Sequence, residues 1–452
     1  MDYDDDDYYE PEDDGGYGGA DPRPGIDPDD DLFDYETDFG GDDTYRPARG
    51  TRGRPPRGTG RKALACLVAA ALVLFVGMKT LSAIRDRKPG TAGSATAQPT
   101  AAQTAPGKDG GTAQTAPASP DGGGRYIYSQ LGREDRELYG QICAMLAAHE
   151  AQTELRCSDA SRPFDVYFLV LADHPEFFWA GNSASSSWHM EGNEACVTLK
   201  PDYTMSAAEA EQRQKKLDVI TESLRAGYGG LTDYEKVKGV YEYIIGNSVY
   251  ELSDTDQSLC PVLLEGRGVC SSYARGTQYL LQQLGVEALY VSGQARGGSH
   301  AWNVVKVDGE YYHLDTTWGD PITPDGEQVI SYDYFCVTSR EIAVDHTLDA
   351  EAYCPDCTAV DANYFRREDR YFTSCDPDGI QRLFERDAAL RQPVRLRASD
   401  GAVFNEILRV LFQEGRVFDI LDGLGASGAA PSMDSYTKND QLYTLEIRLQ
   451  YD

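Results

Sequence analysis

Beyond the first quarter of the chain, apolar residues recur with two periods, and the switches between them mark out elements. Helical spacing runs from Arg133 to His149. The segment DVYFLVLADHPEFFWAGN reads as a strand, a turn and a second apolar run, and Trp188-His189-Met190 and CVTLKPDY suggest further strands. Two capping boxes follow, Ser206 with Glu209 and Thr232 with Glu235, each opening a helix. The second helix places Val237, Val240, Tyr241, Ile244 and Ile245 on one stripe. A third helical pattern starts at Cys270, sets Ala274, Thr277, Leu280, Leu281 and Leu284 on one face, and stops at Gly285. Ala301 to Val307 and Glu310 to Leu314 are strand-like on either side of Asp308-Gly309, a two-residue hairpin turn. From Asp376 on, GIQRLFERDAAL and VFNEILRVLFQEG read as helices alternating with the strand-like VRLRAS and LYTLEIRLQYD, a small α/β subdomain over 376–452. Helices, a helix that begins at Cys270, and then an antiparallel sheet predict an α+β core.

Composition changes the picture at the N-terminus. The chain has 452 residues and a formal charge of −32, and runs such as DYDDDDYYEPEDD make residues 1–45 too acidic to offset chain entropy by burial. The sign reverses at Arg46, Arg49, Arg52, Arg54, Arg57, Arg61 and Lys62, so 1–61 reads as a disordered tail, acidic and then basic. Next comes ALACLVAAALVLFVGM, uncharged from Ala63 to Met78. Sixteen helical residues span only ~24 Å of a ~30 Å hydrocarbon core, but Lys79 can snorkel and TLSAI extends the run, so 62–84 is expected to cross a membrane once. Basic residues are denser before this helix than after it, which places the tail in the cytoplasm and the rest of the chain outside the cell. Residues 85–124 read as a flexible linker rich in Ala, Thr, Gln, Pro and Gly, able to hold the folded part off the membrane and through a cell wall. The acidity argues against nucleic acid as a partner.

The candidate chemistry lies between Gly266 and Asp320. A thiol at the start of a helix meets unpaired amides and the positive end of the helix dipole, which favour the thiolate. If Val307 opposes Glu310 across the turn, then Trp302 opposes Asp315 and His300 opposes Thr317. His300 and Asp315 then share a face as diagonal neighbours, as does His313 opposite Val304. Cys, His and Asp in this arrangement form an acyl-transfer triad.

The motifs GRGVC with SSYA, SHAWNVV and HLDTTWGDP resemble the bacterial transglutaminase-like proteins, a branch of the papain-like Cys-His-Asp superfamily. The flanks TDYEKVKGVYEYIIGNSVY and DYFCVTSREIAVDH are similar to that family too. The resemblance implies a papain-like catalytic domain over 229–375, preceded by an N-terminal part of the ectodomain over 125–228. In it Cys270 would be the nucleophile, His300 the base and Asp315 the orienting acid, with Tyr250, Ser271 and Trp302 in the oxyanion and substrate cleft. Ser271-Ser272 departs from the Glu-Gly that many members carry there. The implied activity is thioester formation from a protein or peptide amide, including cell-wall-associated substrates, followed by transfer to an amine or to water without a cofactor. The alternative is a non-catalytic surface module that keeps the fold for binding. Cys354 and Cys357 have metal-ligand spacing, and Cys375 and His346 could complete a zinc set; a disulfide among Cys336, Cys354, Cys357 and Cys375 is the competing reading.

Overall fold

Two of the helices that frame the centre of the fold begin at the expected caps. Thr232 accepts the Glu235 N–H at 3.3 Å while the Glu235 carboxylate accepts the Thr232 N–H at 2.9 Å, closing a complete capping box. Ser206 accepts the Glu209 N–H in the same way. The stripe from Val237 to Ile245 is fully buried.

The computed structural model describes residues 125–252, 256–322, 328–350, 352–425 and 431–451. The expected acidic and basic tail (1–61), membrane helix (62–84) and linker (85–124) lie outside the described residues. Among the described residues no helix is long and apolar enough to cross a membrane.

In chain order the elements are α1 (Tyr126–Gln130), α2 (Arg133–Ala147), β1 (Thr153–Cys157), α3 (Arg162–Asp173), β2 (Ala180–Glu191), β3 (Glu194–Tyr203), α4 (Ala207–Tyr228), α5 (Asp233–Asn247), β4 (Val249–Tyr250), a π-helical turn (Pro261–Glu265) and β5 (Arg267–Gly268). There follow α6 (Cys270–Gln283), β6 (Ala288–Ala295), β7 (Gly298–Val307), β8 (Glu310–Leu314), β9 (Phe335–Val337), α7 (Ser339–Ile342), β10 (His346–Leu348) and α8 (Tyr364–Arg367). The C-terminal part holds β11 (Tyr371–Phe372), α9 (Pro377–Ala389), β12 (Val394–Ala398), α10 (Gly401–Leu408), α11 (Arg416–Gly425), β13 (Pro431–Asn439) and β14 (Thr444–Tyr451).

The sequence reading fails at α3, which is a helix and not a strand. Pro163 sits in its first turn, and Val166, Tyr167, Val170 and Leu171 face the N-terminal core while Phe168 and Leu169 pack along its flank. The buried residues keep the helical spacing, but the unbroken apolar run from Val166 to Ala172, with its aromatic and β-branched members, imitates a buried strand. In the C-terminal part the sequence reading also lacked α11 and β13.

A five-stranded antiparallel sheet, in the order β10-β6-β7-β8-β9, organises the centre. Alternation along β7 gives it two distinct faces. Val305 and Val307 join the large core that holds α4, α5 and α6, whereas Trp302 and Val304 join a second cluster with Leu289, Val291, Trp318 and Val337. Asn303 ties the first face to α6 by donating to the Ala274 carbonyl at 2.9 Å. On the second face, His300 of β7 pairs with Gly293 of β6, and Ala295 of β6 pairs with His346 of β10. The two histidines are thus separated only by residues with little or no side chain.

Gly293 is required there by close approach, since a Cβ on it would lie 2.0 Å from the Thr347 carbonyl oxygen. Gly293→Ala is expected to push β10 off β6 and cost about 1–3 kcal/mol, as overpacking does. Denaturant unfolding checks this, and an unchanged midpoint would mean that β10 can move aside freely.

Candidate active site

The chain reaches the Cys270 thiol through a tight approach. Gly266 has φ +69°, and a Cβ on Gly268 would meet the Val262 Cγ2 at 2.8 Å and the Ser272 Cβ at 2.9 Å. Gly268 pairs in parallel with Tyr250, which puts Tyr250 beside the entry to α6. Cys270 is the first residue of α6, and Ser271, half-buried, is the second. The Ser272 and Tyr273 amides turn back to the Val269 carbonyl at 2.9 and 3.1 Å. The Cys270 and Ser271 amides therefore stand at the open end of the helix, where developing negative charge is stabilised.

The hairpin has the register that the turn predicts, from Val307 opposite Glu310 to Asn303 opposite Leu314. Asp308 at φ +52° and Gly309 at φ +93° supply the left-handed pair that a tight turn between twisted strands needs. The ladder then ends, because the Asp315 amide leaves it and donates to the Tyr334 carbonyl at 3.1 Å. Past Leu314 the chain leaves the ladder and uncovers the edge of β7, and the Ala301 amide and the His300 ring lie near enough to the Cys270 thiol to lower its pKa. On the other side of the ring, His300 Nε2 donates to Asp315 Oδ2 at 2.7 Å, which leaves Nδ1 for the thiol.

Asp315 has no exposed surface, so its lone pairs must be met inside the protein. Oδ1 accepts the Trp318 amide at 3.0 Å, and Oδ2 accepts both His300 and, at 3.1 Å, His346 Nε2. Burial alone would raise its pKa, but the two imidazoles overcome this and hold the carboxyl well below the ordinary range. Burial likewise opposes the charge on His300, yet Asp315 and the thiolate raise its pKa to about 10. Cys270 shows the same contest: burial raises the thiol, and the hydrogen bond and charge of His300 together with the Ala301 amide bring it below the ordinary cysteine value. Every other described cysteine is shifted upward, with burial the leading cause. At neutral pH His300 is held as the imidazolium, and its charge biases the Cys270 thiol toward the thiolate. The Trp302 ring stacks on His300 at 5.9 Å, and the Trp318 ring lies 5.7 Å from His300 and 4.4 Å from His346, walls that keep water from the pair.

Three sequence expectations change. Trp302 does not line a cleft, because it is buried and gives its indole N–H to His313 Nδ1 at 3.1 Å. His313 does not touch Asp315: its other nitrogen meets the Ser339 hydroxyl at 3.2 Å, and burial with the nearby His346 charge pushes its pKa down to about 4. The second imidazole on Asp315 is His346, a residue that the sequence reading set among zinc ligands. That set does not assemble, since Cys375 packs in the C-terminal core while Cys354 and Cys357 both turn to the Pro355 carbonyl. The described cysteines are free thiols. Only pairing across β6 to β10 could have revealed His346, and nothing in the sequence specified that strand order.

Two groups among the described residues have the make-up of a metal site. In one, His300, Asp315 and His346 already satisfy each other. In the other, His189, Glu191 and Cys196 sit on the β2–β3 hairpin, where Arg156 supplies the cation to Glu191 at 2.8 Å. A polar cleft of about 350 Å³ lies against α6, lined among others by Asn182, Asp202, Asp256 and Arg275. It adjoins the first turn of the helix, because the Ser272 hydroxyl donates to the Asp256 carbonyl at 3.3 Å.

Residues 222–316 match the transglutaminase-like superfamily, a stretch that includes Cys270, His300 and Asp315. No curated protein matches the chain. Among solved structures, a TGase is similar at 14% identity and a TM-score of 0.23, covering 37% of this chain and 51% of its own, so the chain spans about half the length of that protein. A candidate cysteine protease from Cytophaga hutchinsonii is 14% identical with a TM-score of 0.22, over 47% of this chain and 83% of its own. The periplasmic domain of TgpA from Pseudomonas aeruginosa, bound to ethylmercury, is 13% identical with a TM-score of 0.19, over 30% and 66%. Likeness at these scores has no bearing on function.

The two buried histidines of the hairpin separate the assignment experimentally. His300→Ala is expected to lower turnover by a factor on the order of 10³ or more, and Asp315→Asn to lower it with the fold retained. His313→Ala should cost stability while leaving most of the rate, and equal loss in the two histidine variants, both folded, would overturn the assignment. The pH–rate profile should rise where Cys270 loses its proton, below the usual thiol range, and fall as His300 loses its proton near pH 10.

Proposed function

We propose that the chain is a membrane-anchored, extracytoplasmic cysteine enzyme of transglutaminase-like type. The observation that carries this reading is that, of the described thiols, only the one at a helix N-terminus beside a His–Asp pair is shifted toward the thiolate. The sulfur attacks the carbonyl carbon of a protein or peptide amide, and the oxyanion forms beside the Cys270 amide. His300 passes its Nδ1 proton to the nitrogen as the C–N bond breaks, which releases ammonia or an amine and leaves a thioester. His300, now neutral, takes a proton from the incoming amine or water, and collapse of the second tetrahedral intermediate returns the thiolate. An amine acceptor gives cross-linking; water gives deamidation or proteolysis.

The apolar run at 62–84 would hold the enzyme in the cell membrane with its tail in the cytoplasm, and the linker at 85–124 would let it reach cell-wall-associated protein. Its acidity would keep it from adsorbing to anionic polymers. A non-catalytic binding module is the reading opposed to this one, and such a module has no use for a buried ion pair at its thiol.

A carbonyl-based peptide probe reactive toward thiols, followed by mass spectrometry of the full-length chain, tests the chemistry. A single adduct on Cys270 is expected, and labelling spread over several cysteines, or none, would refute the activated nucleophile. Topology is tested by adding protease to intact cells, which should remove the part after Ile84 and spare the acidic tail. Digestion of the tail with survival of the triad would reverse the orientation.

A further inference from the structure

Asp315 is gripped by more than the triad requires. Three donors from three places in the fold converge on it: His300 from β7, the Trp318 amide, and His346 from β10. His346 is itself held on its far side, where Nδ1 meets Asp345 Oδ1 at 2.6 Å. Asp345 in turn accepts the Tyr334 hydroxyl at 2.5 Å and lies 3.9 Å from the Arg296 guanidinium, which covers the Trp318 ring. The His346 side chain has no exposed surface, and Trp302, Trp318 and Tyr334 surround it at ring separations of 4.4–5.2 Å.

We propose that His346, anchored by Asp345, is a positioning residue for the reaction: it fixes the Asp315 carboxylate and, as a buried cation, shares its charge with His300. This rests on the acyl-transfer reading above. The geometry favours the charged state, because each ring nitrogen of His346 faces a carboxyl oxygen within hydrogen-bond distance, and with both carboxyls ionised only the imidazolium has a proton for each. Charges then alternate along one line: the Cys270 sulfur, His300, Asp315, His346, Asp345 and Arg296. The remaining titratable neighbour, His313, is kept neutral in part by this cation. A lone buried Asp–His pair would hold the His300 proton very tightly. Division of the carboxylate between two cations loosens that hold, so His300 can still give its proton to a leaving amine at a useful rate.

The test reads the thiolate and not turnover, so it stands apart from the acyl-transfer reading. Alkylation of Cys270 by iodoacetamide is followed against pH in the full-length chain and in His346→Gln, whose amide can still donate to Asp315 but carries no charge. Loss of a positive charge raises every neighbouring pKa, so both limbs of the profile should move upward on the order of one pH unit, about tenfold slower alkylation on the acid limb. Limbs that stay in place, with folding intact, would overturn the proposal and leave His346 a packing residue. If the variant does not fold, nitrogen NMR of the wild-type chain, with its six histidines labelled, decides the matter. Both His346 nitrogens protonated at neutral pH support the proposal, and a neutral tautomer refutes it. A chain that shows these shifts yet turns over no amide would fail the acyl-transfer reading alone.

Discussion

A carboxylate without exposed surface dictates much of the centre of this protein. Stripping an ion of water costs several kcal/mol, and the cost is met only if charge and hydrogen bonds replace the solvent completely. Asp315 obtains that replacement from three elements at once, and each of them needs its own support. The chain must leave the sheet at the end of β8 so that Asp315 can turn toward Tyr334, β10 must come close enough to deliver His346, and the turn to Trp318 must aim an amide at Oδ1. The activation of Cys270 is downstream of this arrangement, since the charge on His300 that lowers the thiol is itself sustained by Asp315.

Local signals carried part of this architecture in readable form. The Asp308-Gly309 turn set the hairpin register, the capping box at Thr232 set the start of α5, and Gly285 with φ +78° ended the pattern of α6. These are statements about neighbours in the chain, and local chemistry decides them. His346 was not legible in the same way, because its role arises from a strand order that places β10 beside β6, some fifty residues away in sequence. Its Asp-His dipeptide gave no hint of which carboxylate the ring would meet. Trp302 was misjudged for a related reason: its strand position was right, but only the second core shows that its face is covered. At α3 the error was local, where seven consecutive apolar residues from Val166 to Ala172 read as a buried strand and masked the helical spacing of the buried ones.

The aromatic walls connect packing to chemistry. Trp302 and Trp318 contribute to the second core and at the same time line the imidazoles, so the apolar cluster that stabilises the sheet is also what lowers the local dielectric around the charged line. In such surroundings each charge–charge contact is stronger than it would be in water, and each unpaired group would be costlier. Stability and reactivity therefore draw on the same side chains here.

The hairpin also limits how the length of this region can vary. His300 and Asp315 lie fifteen residues apart, and a turn of two residues between paired strands brings them to the same face. Addition or loss of one residue within the paired strands would reverse the parity of one arm and send the imidazole and the carboxylate to opposite sides of the sheet. Spacing between the two is thus quantised: it can drift by compensated pairs, or by bulges that absorb a residue, but not by single steps. Chains that share this hairpin could diverge widely in residue identity along β7 and β8 while the count between the histidine and the acid stayed nearly fixed.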